Sequence, residues 1–225
     1  LEVFDKEFYS SSLNRRKKIL KKFECGEINE NDLPKDILTI LLRNKKKLHL
    51  SNDIIRREVA FYLQAGSHST ANASTHAFHE LLEWIKDHPG DEIKVKNDKF
   101  FLQKCIFETL RLHPASPVAW RKAKRPSGVL GKKNIKEGDQ IIIDLWNSNR
   151  DVAVYGIDAN KYNPYREIKK NYPPWGLSFG LGSHSCLARV LDGGDIPKED
   201  TDINKHNFGL ITCFMKALVE RGAQS

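Results

Sequence analysis

The chain of 225 residues is short of several things, and each shortage excludes a class of protein. It has four cysteines, at positions 25, 105, 186 and 213, which are 80, 81 and 27 residues apart with no Cys-x-x-Cys among them. That excludes a disulfide scaffold, a zinc ribbon and a thioredoxin-type redox pair, and fits a reducing compartment. No apolar run approaches the roughly 18 to 20 residues needed to span a bilayer. With 9 Pro and 14 Gly it is neither collagen-like nor a mucin stalk, and no repeat recurs at a solenoid period. Large apolar side chains are present: 11 Phe, 4 Trp and 6 Tyr within a 40% hydrophobic composition, enough to build a core.

Charge of one sign is in excess, 37 Lys+Arg against 29 Asp+Glu, giving a formal net charge of +8. The excess is blocked: Arg15, Arg16, Lys17, Lys18, Lys21 and Lys22, then Lys45 to Lys47, then Lys122, Lys124 and Arg125. Such runs are solvated faces, or meet phosphates or an acidic partner. No aromatics are interleaved as a stacking platform for single strands requires, so nucleic acid is not an expected partner.

Periodicity predicts a mostly α fold with a minor β-sheet in one continuous unit. A basic helix is expected from Leu13 to Phe23 and a short one from Asp36 to Leu42. The longest signal begins after Ser51, a good N-cap, and ends at His88-Pro89-Gly90, which cannot continue a helix. Residues 52–87 make a rod of about 54 Å. Its apolar residues (Ile54, Ile55, Phe61, Leu63, Ala73, Leu81) occupy more than one side, so it is expected to run through the body of the domain. A second helix is expected over Asp98 to Leu112, closed by His113-Pro114. Strands are expected at Pro117 to Arg121 and Gln140 to Leu145, with Glu137-Gly138-Asp139 turning into the second. Asn147 to Leu181 reads as loop. A helix is expected to open at Cys186, to be interrupted by a polar insert from Asp192 to Asn204, and to resume from Phe208 to Val219.

Three constellations carry chemistry. In Phe179-Gly-Leu-Gly182-Ser-His184-Ser-Cys186-Leu187-Ala188-Arg189, glycines permit a tight turn and a helix starting at the cysteine would point N–H groups at the sulfur, favouring a thiolate that suits a soft metal such as haem iron. A buried free cysteine on a Gly-rich turn is the plainer alternative. In Glu108-Thr-Leu-Arg111 an acid and a base share a helix face among apolar neighbours, and a buried pair of this kind needs a further partner, for which Arg166 is the candidate. In Ala65-Gly66-Ser67-His68-Ser69-Thr70, Gly66 removes a side chain where something flat can approach and Ser69 can bond back to the carbonyl of residue 65. A crossing point between packed helices would need the same small residues.

These segments, in this order, resemble the cytochrome P450 haem-thiolate monooxygenases. Phe179, Gly182, His184 and Cys186 match the haem-ligand loop, Glu108 and Arg111 the Glu-x-x-Arg helix, and Tyr162-Asn-Pro-Tyr-Arg166 the segment supplying the second Arg of the structural triad. Ala65 to Thr70 takes the place of the oxygen-activation segment, and Trp120-Arg121 the place where an Arg reaches a haem propionate, with His184 serving the other. The resemblance runs from Ser51 to about Val219 and, with the lead-in, corresponds to roughly the C-terminal half of such an enzyme. It implies residues 1–225 as one partial domain, with the long helix at 51–88, the Glu-x-x-Arg helix at 98–113 and the haem loop at 179–189.

The resemblance also implies haem b (iron protoporphyrin IX), with Cys186 as axial ligand of the iron and Arg121, His184, Phe179, Gly182, Leu187, Ala65 and Gly66 around the cofactor. Ser69, His68 and Thr70 would manage protons. The reaction implied is insertion of one oxygen atom from O2 into a hydrophobic small molecule, with electrons from a ferredoxin or flavoprotein reductase. Alternatives are a peroxide-driven peroxygenase and a haem-binding fragment without activity. The location implied is cytoplasmic, or membrane-associated through an N-terminal segment outside this chain. Three departures stand out: His68-Ser69 replaces the usual acid and Thr, Ala188 replaces a Gly, and the insert from Asp192 interrupts the helix behind Cys186.

Overall fold

The computed structural model describes residues 2–130, 133–169 and 171–223. It is mostly helical with two small sheets, and its contacts divide it into two compact units, Leu1–His68 and Ser69–Ser225.

In the first unit a helical lead-in, Glu2–Phe4 and the π-turn Asp5–Tyr9, runs into α1 (Ser10–Glu24), followed by α2 (Ile37–Arg43) and the first part of α3 (Asn52–Asp87). Tyr9, Leu38, Ile55 and Val59 form its core. Asp36 caps α2, accepting from the N–H of Thr39 at 2.8 Å and from Arg16 Nε at 2.7 Å. The Ser51 hydroxyl accepts from the N–H of Ile54 at 3.1 Å, the side-chain cap expected at the start of α3.

The second unit is organised around α5 (Lys99–Leu112), preceded by the short α4 (Glu92–Asn97). Asp98 caps α5 through the N–H groups of Phe100 and Phe101 at 2.9 and 3.0 Å. Every residue of α5 from Phe101 to Leu112 except Lys104 is buried, against Ala73, Ala77 and Leu81 of α3 and Ile211 and Met215 of α9 (Leu210–Glu220). Among the described residues α5 is the helix covered on every face, whereas the one expected to run through the body was residues 52–87, α3. On α3 only a stripe at intervals of four is buried, whereas Ile54, Phe61 and Leu63 are 43%, 57% and 50% exposed. Apolar content on several faces reports composition, and burial requires neighbours on each of those faces.

After α5, strands β1 (Val118–Lys122) and β4 (Gln140–Asp144) pair antiparallel, with Val118 opposite Asp144 and Lys122 opposite Gln140. Gly138, at φ +89°, makes the turn into β4. A second antiparallel pair, β2 (Ser127–Leu130) and β3 (Lys133–Ile135), was not expected; it is short and its register shifts between Ser127 and Val129, which leaves no period-two pattern to read. A single turn, α6 (Leu145–Ser148), starts at the last residue of the expected strand and enters the expected loop, which holds a second, α7 (Val152–Tyr155).

The helix expected at Cys186 begins later, as α8 (Arg189–Asp192). The N–H of Cys186 instead donates to the carbonyl of Phe179 at 2.7 Å, closing the loop on itself, so Cys186 is not the first residue of a helix aiming its N–H groups at the sulfur.

Candidate functional site

The best-defined polar cluster of the second unit lies on α5. Glu108 and Arg111 are 3% and 0% exposed and form a two-pronged pair, Arg111 Nε to Oε2 at 2.7 Å and Nη2 to Oε1 at 2.6 Å. Arg166 Nε reaches the same Oε1 at 3.0 Å, and the N–H of Asn163 donates to it at 3.1 Å. Arg111 Nη1 donates to the carbonyls of Asn149 and Ala159 at 2.6 and 2.7 Å. Arg166 adds bonds to Asp158, at 2.7 Å, and to the carbonyl of Tyr155. A buried pair offsets its desolvation only when its remaining donors are satisfied, and here backbone carbonyls do that. The arrangement pins the segment from Asn149 to Arg166 to α5.

Two partners in this cluster had no signal in the sequence. Asp158 sits inside a stretch read as loop. Asn149, fully buried, donates to the carbonyl of Arg111 and to Ser178 Oγ at 2.9 Å each, and accepts from the N–H of Leu177 at 2.7 Å. Asn149 thus ties the end of α5 to the strand of chain leading to the cysteine loop. Gly176, at φ +60°, is required beside it, since a Cβ there would lie 2.3 Å from Asn149 Oδ1.

The loop from Phe179 to Cys186 follows. Gly180 and Gly182 have φ of +66° and +64°, which L side chains rarely adopt, and a Cβ on Gly180 would crowd the carbonyl of His184 at 3.0 Å. Phe179 turns inward and packs edge-on against Trp175. Gly182 and His184 form a single 3-10 turn, and Cys186 and His184 are exposed. The exposed thiol is flanked in sequence by exposed apolar side chains, Leu181 at 61% and Leu187 at 80%. No atom of the described residues lies within 4 Å of where a Cβ on Gly182 would stand. A soft thiol donor bordered by uncovered apolar side chains and a glycine facing open space fits a flat, apolar, iron-bearing group. Cys105 is the contrast: fully buried, with burial pushing its thiol up to about 12.

Arg121 and Trp120 project from β1, both exposed, and Arg121 donates to the carbonyl of Trp120 at 2.8 Å. Ala65, Gly66 and His68 lie on α3 within the first unit; Ser69 and Thr70 continue the helix in the second. Nothing lies within 4 Å of a Cβ built on Gly66. The Thr70 hydroxyl faces both carboxylate oxygens of Asp192, at 3.1 and 3.2 Å. Burial raises the pKa of Asp192, and the Thr70 bond offsets part of that rise. Nothing in the sequence linked these two residues.

Residues 5–191 match the sequence profile of the family described as Cytochrome P450. The chain belongs to the cytochrome P450 family. The match starts before Ser51, so the lead-in helices belong to it, and it ends at Leu191, one residue before the insert. Beta-amyrin 24-hydroxylase of Glycine max is 30% identical over 206 residues, covering 77% of this chain and 40% of that protein. Cytochrome P450 52C1 of Candida tropicalis is 28% identical, covering 72% and 36%. The crystal structure of CalO2 superposes with a TM-score of 0.65 at 17% identity over 93% of this chain and 45% of that one, which shows the fold. The chain thus spans less than half the length of these cytochrome P450 relatives. Members of the family are oxidoreductases that bind haem b. No helix among the described residues is long and apolar enough to cross a membrane.

Proposed function

We propose that this chain carries the haem-thiolate site of a cytochrome P450 monooxygenase, with residues 1–225 forming part of one catalytic domain. The observation that supports it best is the exposed Cys186 thiol on a glycine-shaped loop anchored to the buried Glu108–Arg111–Arg166 cluster through Asn149.

Haem bound here would supply electron transfer and dioxygen activation, and every other contribution belongs to the chain. Cys186 holds the iron as its thiolate. Arg121 and His184 would pair with its carboxylates, and the exposed apolar side chains of Leu181 and Leu187 would exclude water from it. Ala65 and Gly66 present a small surface on α3. Ser69 and His68 hold and pass protons, the hydroxyl orienting water and the imidazole relaying a proton beside it. Thr70, bonded to Asp192, sits next to them on the helix. The substrate is a hydrophobic small molecule that receives one oxygen atom from O2, and a ferredoxin or flavoprotein reductase delivers the electrons.

The absorption spectrum of the reduced, haem-loaded full-length protein under carbon monoxide tests this reading, with Cys186→Ala beside it. A red-shifted Soret band in the parent that is lost in the variant is the expected result. Its absence from a folded, haem-loaded parent overturns thiolate ligation.

A further inference from the structure

The excursion between α8 and α9 lies beyond the residues matched by the family, and it has a closed neck. Gly194 and Gly209 both have φ of +80°. A Cβ on Gly194 would fall 2.4 Å from the carbonyl oxygen of Asn207, and one on Gly209 would fall 2.5 Å from that of Asp192, so the two arms touch where only glycine fits. The N–H of Asp195 donates to the carbonyl of Asn207 at 2.8 Å. The fully buried Gln103 amide of α5 donates to the carbonyls of Gly193, Asp195 and Phe208 at 3.1–3.2 Å, and its Oε1 lies 2.9 Å from His206 Nε2. Residues 195–207 therefore leave and return through one pinned point.

With its ends fixed, the excursion serves as a wall. Its residues from Ile196 to Asp200 line a cavity of about 780 Å³, whose other sides come from α5 and from the segment between Asn163 and Pro174. That volume lies in the range of small-molecule sites, roughly 300–1,000 Å³. The cavity has no lining residue in the Cys186 loop. We propose that it binds an amphipathic anion, a single carboxylate or sulfonate head on an apolar body.

Phe107, Ile168 and Ile196 supply apolar wall. Lys104 from α5 and Lys169 from the facing segment also line it, and among the described residues neither ammonium has an ion-pair or hydrogen-bond partner. Glu108 and Arg166 contribute no net attraction, their charges being absorbed by Arg111 and Asp158. Lys198, Glu199 and Asp200 on the excursion sum to one negative charge, against the two positive charges of Lys104 and Lys169. The lining is left with one net positive charge, which a single anionic head neutralises and a second would exceed. The family match, ending at Leu191, assigns nothing to this wall.

Isothermal titration of the haem-loaded full-length protein with 1-naphthalenesulfonate, and with neutral 1-naphthol as control, tests the proposal. The sulfonate is expected to bind one to one without moving the Soret band, and 1-naphthol to bind more weakly. Binding of the sulfonate should weaken at least about tenfold in Lys104→Glu/Lys169→Glu, the loss expected when a charged head loses its ammonium partner. It should also weaken in Ile196→Arg. All three side chains are exposed, so the variants should keep the parent's circular dichroism. No binding, affinity unchanged in both variants, or a Soret shift on binding overturns the proposal. Since the cavity and the cysteine loop share no lining residue, any of these results leaves the haem-thiolate reading standing.

Discussion

Thr70 and Asp192, 122 residues apart in the chain, meet through a hydroxyl shared between two carboxylate oxygens at 3.1 and 3.2 Å. The bond joins the middle of α3 to the end of α8, the short helix that follows Cys186. Asp192 is 7% exposed, and burial raises its pKa above the ordinary 3.8. An acid whose folded pKa is raised holds more protons folded than unfolded between the ordinary and the folded value. Stability therefore falls as pH climbs through that window and stays lower above it. Asp192→Asn removes the titration and keeps an acceptor for Thr70. Its melting temperature should exceed the parent's near pH 7.5, with the margin shrinking to nothing below about pH 4. A margin independent of pH contradicts this.

The Glu108 cluster predicts an order of damage. Arg111→Ala strips a fully buried guanidinium from Glu108 and from the carbonyls of Asn149 and Ala159. Breaking such a pair costs about 3–5 kcal/mol, a large share of a domain's stability. Arg166→Ala should cost less, because Glu108 keeps Arg111 and Asp158, 36% exposed at its side chain, can turn to water. Urea midpoints of the two variants measure the order, and a larger loss for Arg166→Ala would refute it.

Thiol accessibility makes a third test. Cys25, Cys186 and Cys213 are exposed, while Cys105 is buried with its thiol pushed up to about 12. The thiolate is the reactive form, so Cys105 should resist iodoacetamide until the protein unfolds. The folded haem-free chain should take up label at the other three positions. Haem loading should withdraw Cys186 from that set, which mass spectrometry of tryptic peptides reads directly. Equal labelling of Cys186 with and without haem would count against its role as ligand.

Much of this was legible in local sequence. Ser51 and His88-Pro89 bound α3 as expected, and Asp98 and His113-Pro114 bound α5, because caps and proline act within one turn. Glu108, Arg111 and Arg166 were legible because a buried charge pair on one helix face demands a third partner. What stayed hidden depends on chain returning from far away. The Thr70–Asp192 bond, the Gln103 pin on the excursion and the role of Asn149 each join segments dozens of residues apart, and a lone Asp, Gln or Asn carries no sign of its partner. The start of α8 was misplaced for a similar reason: the Cys186 N–H is taken by Phe179, a closure within the loop that helix propensity does not report.

Which hydroxyl of α3 handles protons can be separated by paired variants. Thr70 already shares its hydroxyl with Asp192, so Thr70→Val deletes a structural bond worth about 1 kcal/mol and leaves a buried carboxyl without its donor. Ser69, next to His68, is the hydroxyl proposed above to handle protons. In the reconstituted enzyme Ser69→Ala should divert most reducing equivalents from product, on the scale of the roughly hundredfold that a positioned proton donor contributes. Thr70→Val should instead show mainly a lower melting temperature and a smaller loss of coupling. His68→Gln should lower coupling, since it removes the imidazole beside Ser69. The reverse pattern, with coupling lost in Thr70→Val and kept in Ser69→Ala, would move the proton path to Thr70 and the buried Asp192. That path would be an acid–hydroxyl pair assembled from two distant segments, in place of the adjacent residues that the helix itself lacks.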